Sequence, residues 1–212
     1  MAKTLLALVP PAAVFQTVDH PRQLPKRRPN AQIRAREYLT VPEVERLMKA
    51  AGENRNGHRD STMVLIAFRH GLRAIELVGL RWEAVDLERG TLHVNRVKNG
   101  SPSVHPLDGK ELRALRRLRR EQQPASPFVF TSEREAPFST AGWAKMIERL
   151  GATAGFGFKA HPHMLRHACG YALANKGKDT RTLQAYLGHR NIAHTVRYTE
   201  LAPGRFNGLW DD

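Results

Sequence analysis

Two arginines, two histidines and a tyrosine stand in this sequence at spacings that suit joint action on a phosphodiester: Arg73, Arg166, His163, His189 and Tyr198. Arg73 falls at a predicted helix start in Gly71-Leu72-Arg73-Ala74-Ile75-Glu76-Leu77. Glu76 comes one turn on, where an i,i+3 carboxylate braces the guanidinium from behind. His163-Met164-Leu165-Arg166-His167 puts His163 and Arg166 on one helical face, and Leu187-Gly188-His189 places a histidine just past a helix end. Tyr198 lies on the next amphipathic helix. Guanidinium forks match phosphate oxygens and neutralise a pentacoordinate transition state. A tyrosine attacks phosphorus once a base takes or shares its proton, and imidazoles move protons near neutral pH. The leaving 5′-oxygen needs a proton, and Lys98, directly before Asn99-Gly100 at a predicted hairpin tip, is placed to deliver it.

The same residues have plainer readings. Arg73 and Glu76 form a structural ion pair in one of them, and Lys98 is a solvated hairpin charge. His163 and His167 share the i,i+4 spacing of zinc proteases, but that chemistry needs a glutamate after the first histidine, and Met164 stands there. His161, His163, His167 and His194 remain as an alternative metal cluster. His167 is expected to serve as a hydrogen-bonding neighbour of the site. Tyr38, Tyr171 and Tyr186 read as packing residues, and Cys169 as a small buried apolar group.

These side chains must be carried by elements that the pattern allows. The chain has 212 residues, 34 Lys+Arg against 20 Asp+Glu and a formal net charge of +14, which points to a polyanionic partner, a solvated basic surface being the alternative. With 41% hydrophobic and 25% charged residues it is an ordinary globular composition. Apolar runs such as Met63–Phe68 are too short to span a bilayer, and a lone cysteine fits a reducing compartment such as the bacterial cytoplasm. Residues 1–37 read as a flexible basic arm interrupted by Pro10, Pro11, Pro21, Pro25 and Pro29. Leu5–Val9 faintly imitates a signal peptide, and Pro10-Pro11 cuts it short. From Thr40, a capping box with Glu43 opens the first helix. Further helices are expected at Ser61–His70, Ala74–Leu80, Lys110–Gln122, Thr140–Ala154, Pro162–Lys176, Thr180–Leu187 and Ile192–Leu201. Lys110–Gln122 carries leucines on one side and Arg113, Arg116, Arg117 and Arg120 on the other. Alternation at Leu92 and Val94, running on to Arg96–Val97, then Asn99-Gly100, then Ser103–Leu107, predicts a hairpin. Val85–Leu87 is a third strand, and Phe128–Phe130 a further short one. The fold class is mainly α with a small antiparallel β-sheet.

In order and spacing, Gly71-Leu72-Arg73-x-x-Glu76-Leu77, His163-x-Leu165-Arg166-His167, Leu187-Gly188-His189 and Tyr198-Thr199 resemble the motifs of the tyrosine recombinase (phage integrase) family over residues 38–205. His161-Pro162-His163, Tyr171-Ala172-Leu173-Ala174-Asn175, His189-Arg190-Asn191-Ile192 and the ending Gly204-Arg205-Phe206-x-Gly208-x-Trp210-Asp211 resemble the small recombinases that invert a fimbrial promoter switch. The resemblance implies a catalytic domain at 38–212 without the helical domain that precedes it in larger members. It implies a site-specific recombinase working through a 3′-phosphotyrosyl intermediate, with no metal and no nucleotide cofactor. Arg73 and Arg166 would hold the nonbridging oxygens and His189 would hydrogen-bond the phosphate. His163 would assist proton transfer from Tyr198, the nucleophile, and Lys98 would protonate the leaving 5′-hydroxyl. The implied partner is double-stranded DNA with inverted repeats, bound by a homotetramer, with accessory DNA-bending proteins. Arg205–Trp210 is the candidate contact between subunits. A DNA-binding regulator with little catalysis and a type IB topoisomerase are the competing functions.

Overall fold

Glu43 accepts both the backbone N–H and the hydroxyl of Thr40, each at 2.8 Å, and with Pro42 in the first turn this sets the start of helix α1 (Val41–Gly52). The computed structural model describes residues 37–97, 100–122, 126–200 and 202. The basic arm ahead of residue 37, Lys98, Asn99 and the Arg205–Trp210 segment lie outside the described residues. Val44, Leu47 and Ala51 bury one face of α1 against α2 (Gly57–Arg69). Helix α2 begins four residues before the expected Ser61 because Gly57 fits against the end of α1. A Cβ at that position would stand 2.0 Å from the Gly52 carbonyl oxygen. Met63 to Ala67 are buried, and Gly71, with φ of +56°, turns the chain into the short α3 (Ala74–Val78).

A short 3-10 turn at Trp82–Ala84 leads into a sheet of three antiparallel strands in the order β1 (Val85–Asp86), β2 (Thr91–Val94), β3 (Ser103–Pro106). Leu92 pairs with Val85 on one side and His105 on the other, and Leu92 and Val94 point into the core. Strands β2 and β3 pair as the two arms of the expected hairpin. Strand β2 stops at Val94, pairing with Ser103, and does not run on to Arg96–Val97. The reason is Arg96, whose side chain is 0% exposed and turns inward to a carboxylate instead of extending the ladder. Phe128–Phe130 is likewise not a strand. It makes one isolated bridge, Arg81 to Phe128, and Val129 N–H donates to the Leu80 carbonyl while Val129 and Phe130 fill the core.

Helices α4 (Gly109–Glu121), α5 (Thr140–Thr153), α6 (Pro162–Asn175), α7 (Thr180–Leu187) and α8 (Ala193–Glu200) complete the described chain, each end within one residue of expectation. Asp108, Ser139 and Asp179 cap α4, α5 and α7 with their side-chain oxygens. Arg113, Arg116, Arg117 and Arg120 are exposed on α4, opposite buried Leu115 and Leu118. The main core runs from α1 through Leu165 and Ala168 of α6. A smaller cluster, including Cys169, Tyr171, Leu187 and Tyr198, packs between α6, α7 and α8. Among the described residues no helix is long and apolar enough to cross a membrane.

Candidate active site

The loop Gly71–Arg73 and helix α3 set the first arginine. Arg73 is the residue before α3, and the Glu76 carboxylate accepts its backbone N–H at 2.9 Å and its guanidinium at 2.6 Å. This is the i,i+3 brace expected from the sequence. The oxygen that accepts the Arg73 N–H also takes the buried Arg96 guanidinium at 3.0 Å, and the one that accepts the Arg73 guanidinium also takes the Val97 N–H at 3.2 Å. Burial alone would raise the pKa of Glu76. Hydrogen bonds from the Arg73 backbone and side chain, and the charges of Arg96 and Arg73, outweigh it and hold the carboxyl below its usual value.

Arg166 comes from the second turn of α6 and is 1% exposed. One guanidinium nitrogen donates to the Gly71 carbonyl at 2.5 Å and another to the Leu187 carbonyl at 2.7 Å. The two motifs far apart in sequence, Gly71-Leu72-Arg73 and Leu187-Gly188-His189, are therefore joined by backbone oxygens that grip one guanidinium. Burial, and then the charges of Arg73 and Arg96, bring the Arg166 pKa down to about 10, so it stays a cation at neutral pH. Three guanidiniums thus lie close together with one carboxylate, which pairs with Arg73 and Arg96 while Arg166 is held by backbone carbonyls. Such an arrangement is relieved by an anion, and a phosphodiester supplies one with oxygens matched to the forks.

Arg96 was not singled out by sequence as a site residue. Besides Glu76 it donates to the carbonyls of Gly71, His70 and Tyr186, at 3.3, 3.1 and 2.5 Å. A Cβ on Gly188 would stand 2.5 Å from its Cγ, and one on Gly100 would stand 2.6 Å from its Cβ, so both glycines make room for its stem. The available signal was the alternation itself. Counting on from Leu92 and Val94 puts a charged residue at an inward position. Val97 and Gly100, which flank the Lys98 segment, are both anchored here. Behind Arg96, His105 is 1% exposed and stacks on Tyr186 with ring centroids 3.8 Å apart. Its ring nitrogens lie 3.1 Å from His70 Nδ1 and 2.8 Å from the Ser103 hydroxyl.

Tyr198 comes from α8 and is 1% exposed. Its ring lies against Gly170, where a Cβ would approach it to 2.8 Å, and edge-on to Tyr171 with centroids 4.9 Å apart. Its hydroxyl is 2.7 Å from His167 Nδ1. Burial pushes the Tyr198 phenol up to about 12, against the charges of Arg197 and Arg166. His167 packs edge-on with the exposed His163, ring centroids 4.4 Å apart. On the other side His189 lies nearly parallel to the Tyr198 ring, centroids 6.3 Å apart, and its Nδ1 is 2.8 Å from the hydroxyl of buried Thr195. Gly188, in the left-handed region with φ of +63°, turns the chain so that His189 follows α7 directly into the pocket. Burial, then the charges of Arg166, Arg73, His194 and Arg96, bring His189 down to about 3, so it is neutral.

The structure thus gathers Arg73, Arg166, His189 and Tyr198, with His163 one ring away from the tyrosine's partner. Tyr38 and Tyr171 stack on each other, Tyr186 hydroxyl donates to the Arg69 carbonyl, and Cys169 is buried, all as packing groups. Among the described residues no three His, Cys, Asp or Glu side chains are placed to hold a metal ion together.

Over residues 37–205 the chain matches the phage integrase family. The type 1 fimbriae regulatory proteins FimE and FimB of Escherichia coli strain K12 are 44% and 43% identical to it, over 83% and 85% of this chain and 91% and 92% of theirs. Tyrosine recombinase XerC of Xanthomonas axonopodis pv. citri is 31% identical over 90% of this chain and 59% of its own. Among solved structures, XerA recombinase superposes with a TM-score of 0.69 at 30% identity, over 82% of this chain and 63% of that one. XerH recombinase bound to its difH substrate has a TM-score of 0.66 at 21% identity, over 77% of this chain and 50% of that one, a likeness of fold. This chain belongs to the phage integrase family and is a tyrosine site-specific recombinase.

Proposed function

We propose that the chain cuts and rejoins double-stranded DNA with Tyr198 as the nucleophile, forming a 3′-phosphotyrosyl link. Arg73 and Arg166 hold the nonbridging oxygens, and His189 donates to one of them, its Nε2–H free for this while Nδ1 faces the Thr195 hydroxyl. His163 assists removal of the phenolic proton, and Lys98 protonates the departing 5′-oxygen. The single observation that supports this reading is the pocket of three guanidiniums and one carboxylate next to a buried tyrosine. No high-energy donor is needed, because the phosphotyrosine ester keeps the energy of the broken bond and a new 5′-hydroxyl reverses it.

The proposed substrate is DNA carrying paired inverted repeats, recombined by a tetramer in the bacterial cytoplasm with DNA-bending proteins assisting. Residues 1–37 act as the basic arm that adds phosphate contacts. The test is a nicked suicide duplex carrying an inverted repeat, incubated with the protein in chelator. The expected outcome is a covalent adduct whose digest maps to Tyr198, lost in Tyr198→Phe with duplex binding retained. Binding without any adduct would leave a DNA-binding regulator instead, and an adduct at another side chain would remove Tyr198 from its role.

A further inference from the structure

His167 is the side chain that touches the nucleophilic oxygen. Its Nδ1 stands 2.7 Å from Tyr198 Oη, hydrogen-bond distance, whereas its motif position suggested only a neighbouring role. We infer that His167 Nδ1 receives the phenolic proton of Tyr198 as the oxygen attacks phosphorus, and that His163, edge-on to the His167 ring, assists through it. The inference rests on Tyr198 being the nucleophile.

The step balances within the site. The Oη–H bond breaks and its proton passes to His167 Nδ1, while the Oη–P bond forms and the P–O5′ bond breaks. The 5′-oxygen leaves with a proton from the general acid assigned to Lys98. Rejoining runs the same transfers backwards, His167 returning its proton to Tyr198.

Geometry and charge both suit this role. An imidazole nitrogen can accept the phenolic hydrogen only when it carries none itself, and neutral His167 meets that condition as the tautomer with its hydrogen on Nε2. Burial, then the charges of His163, Arg197, Arg166 and His161, bring its pKa down to about 3. The groups facing it are His161 just ahead of α6, His163 and Arg166 from α6, and Arg197 and Tyr198 from α8. Apart from Tyr198, all of these act by positive charge. A bound phosphodiester places negative charge among the same cations, so the proton affinity of His167 rises when substrate arrives. In the absence of DNA the histidine is too weak a base to ionise a phenol pushed up to about 12. The nucleophile is thereby protected until a phosphate is in place. Gly170 contributes by leaving the space that brings the Tyr198 ring down onto α6, so its hydroxyl meets a residue of that helix.

The test measures adduct formation on a nicked inverted-repeat duplex between pH 6 and 9, with matched 5′-oxygen and 5′-bridging sulfur leaving groups. A thiolate leaves without a proton, so the sulfur substrate isolates removal of the phenolic proton from protonation of the leaving group. His167→Ala is expected to slow the adduct about 100-fold or more at pH 7 on both substrates. Its rate should climb about tenfold per pH unit as hydroxide replaces the lost base, while the wild type stays much flatter. Lys98→Ala should be slow on oxygen and normal on sulfur. His167→Asn keeps an acceptor oxygen near the Nδ1 position but takes no proton, and it should bind duplex normally and cleave as slowly as His167→Ala. It carries the test if the alanine variant does not fold. A His167 variant that folds and forms adduct at the wild-type rate or faster would make the 2.7 Å bond a resting latch and overturn the inference. Slowing by the same factor at every pH would overturn it too, reducing His167 to a structural part. If Tyr198→Phe still forms adduct, the reading of the nucleophile fails. If Tyr198→Phe is inert and His167→Ala is normal, the assignment of the base fails alone.

Discussion

Arg73, Arg96 and Arg166 enter the pocket beside Leu72, Val94 and Leu165 of the larger hydrophobic core, whereas Tyr198 and His189 ride on α7 and α8 over the smaller cluster around Cys169 and Leu187. The arginine side is determined many times over. Glu76 binds two guanidiniums, and the Gly71 carbonyl accepts from both Arg96 and Arg166. The tyrosine side hangs on an eight-residue helix, too short to be stable without its packing, and on single hydrogen bonds at His167 and Thr195. This difference fits the chemistry. Charge developing on phosphorus is met best by donors that do not move, while a phenol that is 1% exposed meets a phosphodiester only when the residues over it give way, its hydroxyl still within reach of His167. The rigid half holds the phosphate, and the half with the smaller core carries the group that must travel.

The sharpest way to break this contrast is Arg96→Met. The substitution is close in volume but takes away one of the two guanidiniums paired with the buried Glu76 carboxylate and the donor to the carbonyls of His70 and Tyr186. Removing one partner of a buried ion pair costs about 3–5 kcal/mol, read as a fall in the urea midpoint at unchanged slope. A loss under about 1 kcal/mol would mean that the arginine side is not fixed in the way its hydrogen bonds suggest.

That residue also marks where sequence reading stopped. Arg73, Glu76, His163, Arg166, His189 and Tyr198 could be found because phosphoryl transfer demands their side-chain types, and their order along the chain is informative by itself. The role of Arg96 depends on carbonyls at positions 70, 71 and 186, which no local pattern reveals. The hairpin was legible in the alternation, but the end of β2 at Val94 was not, because a buried cation draws the chain inward at Arg96. The helices were well marked by their caps and apolar stripes, except at Gly57, where the start is set by a steric contact with Gly52. His167 lay inside a recognised motif, but only the packing of Tyr198 on Gly170 shows which atom it meets.

A second, smaller effect comes from acid and bears on the arginine side. His105 is held at about 3, first by burial and then by the charges of His70 and Arg96. An unfolded histidine titrates near 6.5, so between the two values the unfolded chain binds a proton that the folded one refuses. Stability from this group is complete above pH 6.5 and is lost as pH falls towards 3. At pH 5 the loss amounts to about 2 kcal/mol. Urea unfolding of the wild type at pH 7 and pH 5 should show it, and His105→Gln, which keeps a hydrogen-bonding group towards the Ser103 hydroxyl, should lose less by that amount. Equal losses in the two proteins would show that His105 is not the titrating group.

The smallest effect is expected from Thr195→Val on the tyrosine side. Thr195 is 0% exposed, and its hydroxyl stands 2.8 Å from Nδ1 of the His189 ring. Valine fills the same space, so the fold should lose only about 1 kcal/mol, the worth of one hydrogen bond. The ring is then free to turn, and the donor it offers to the phosphate is no longer aimed. Adduct formation should fall about tenfold, an effect of the size expected for one misdirected donor, with duplex affinity unchanged because the guanidiniums are untouched. Thr195→Ser, which restores the hydroxyl, should recover the rate. Were Thr195→Val to destabilise the fold as much as Arg96→Met, the tyrosine side would be as firmly built as the arginine side, and the division between a fixed phosphate clamp and a movable nucleophile would have to be given up.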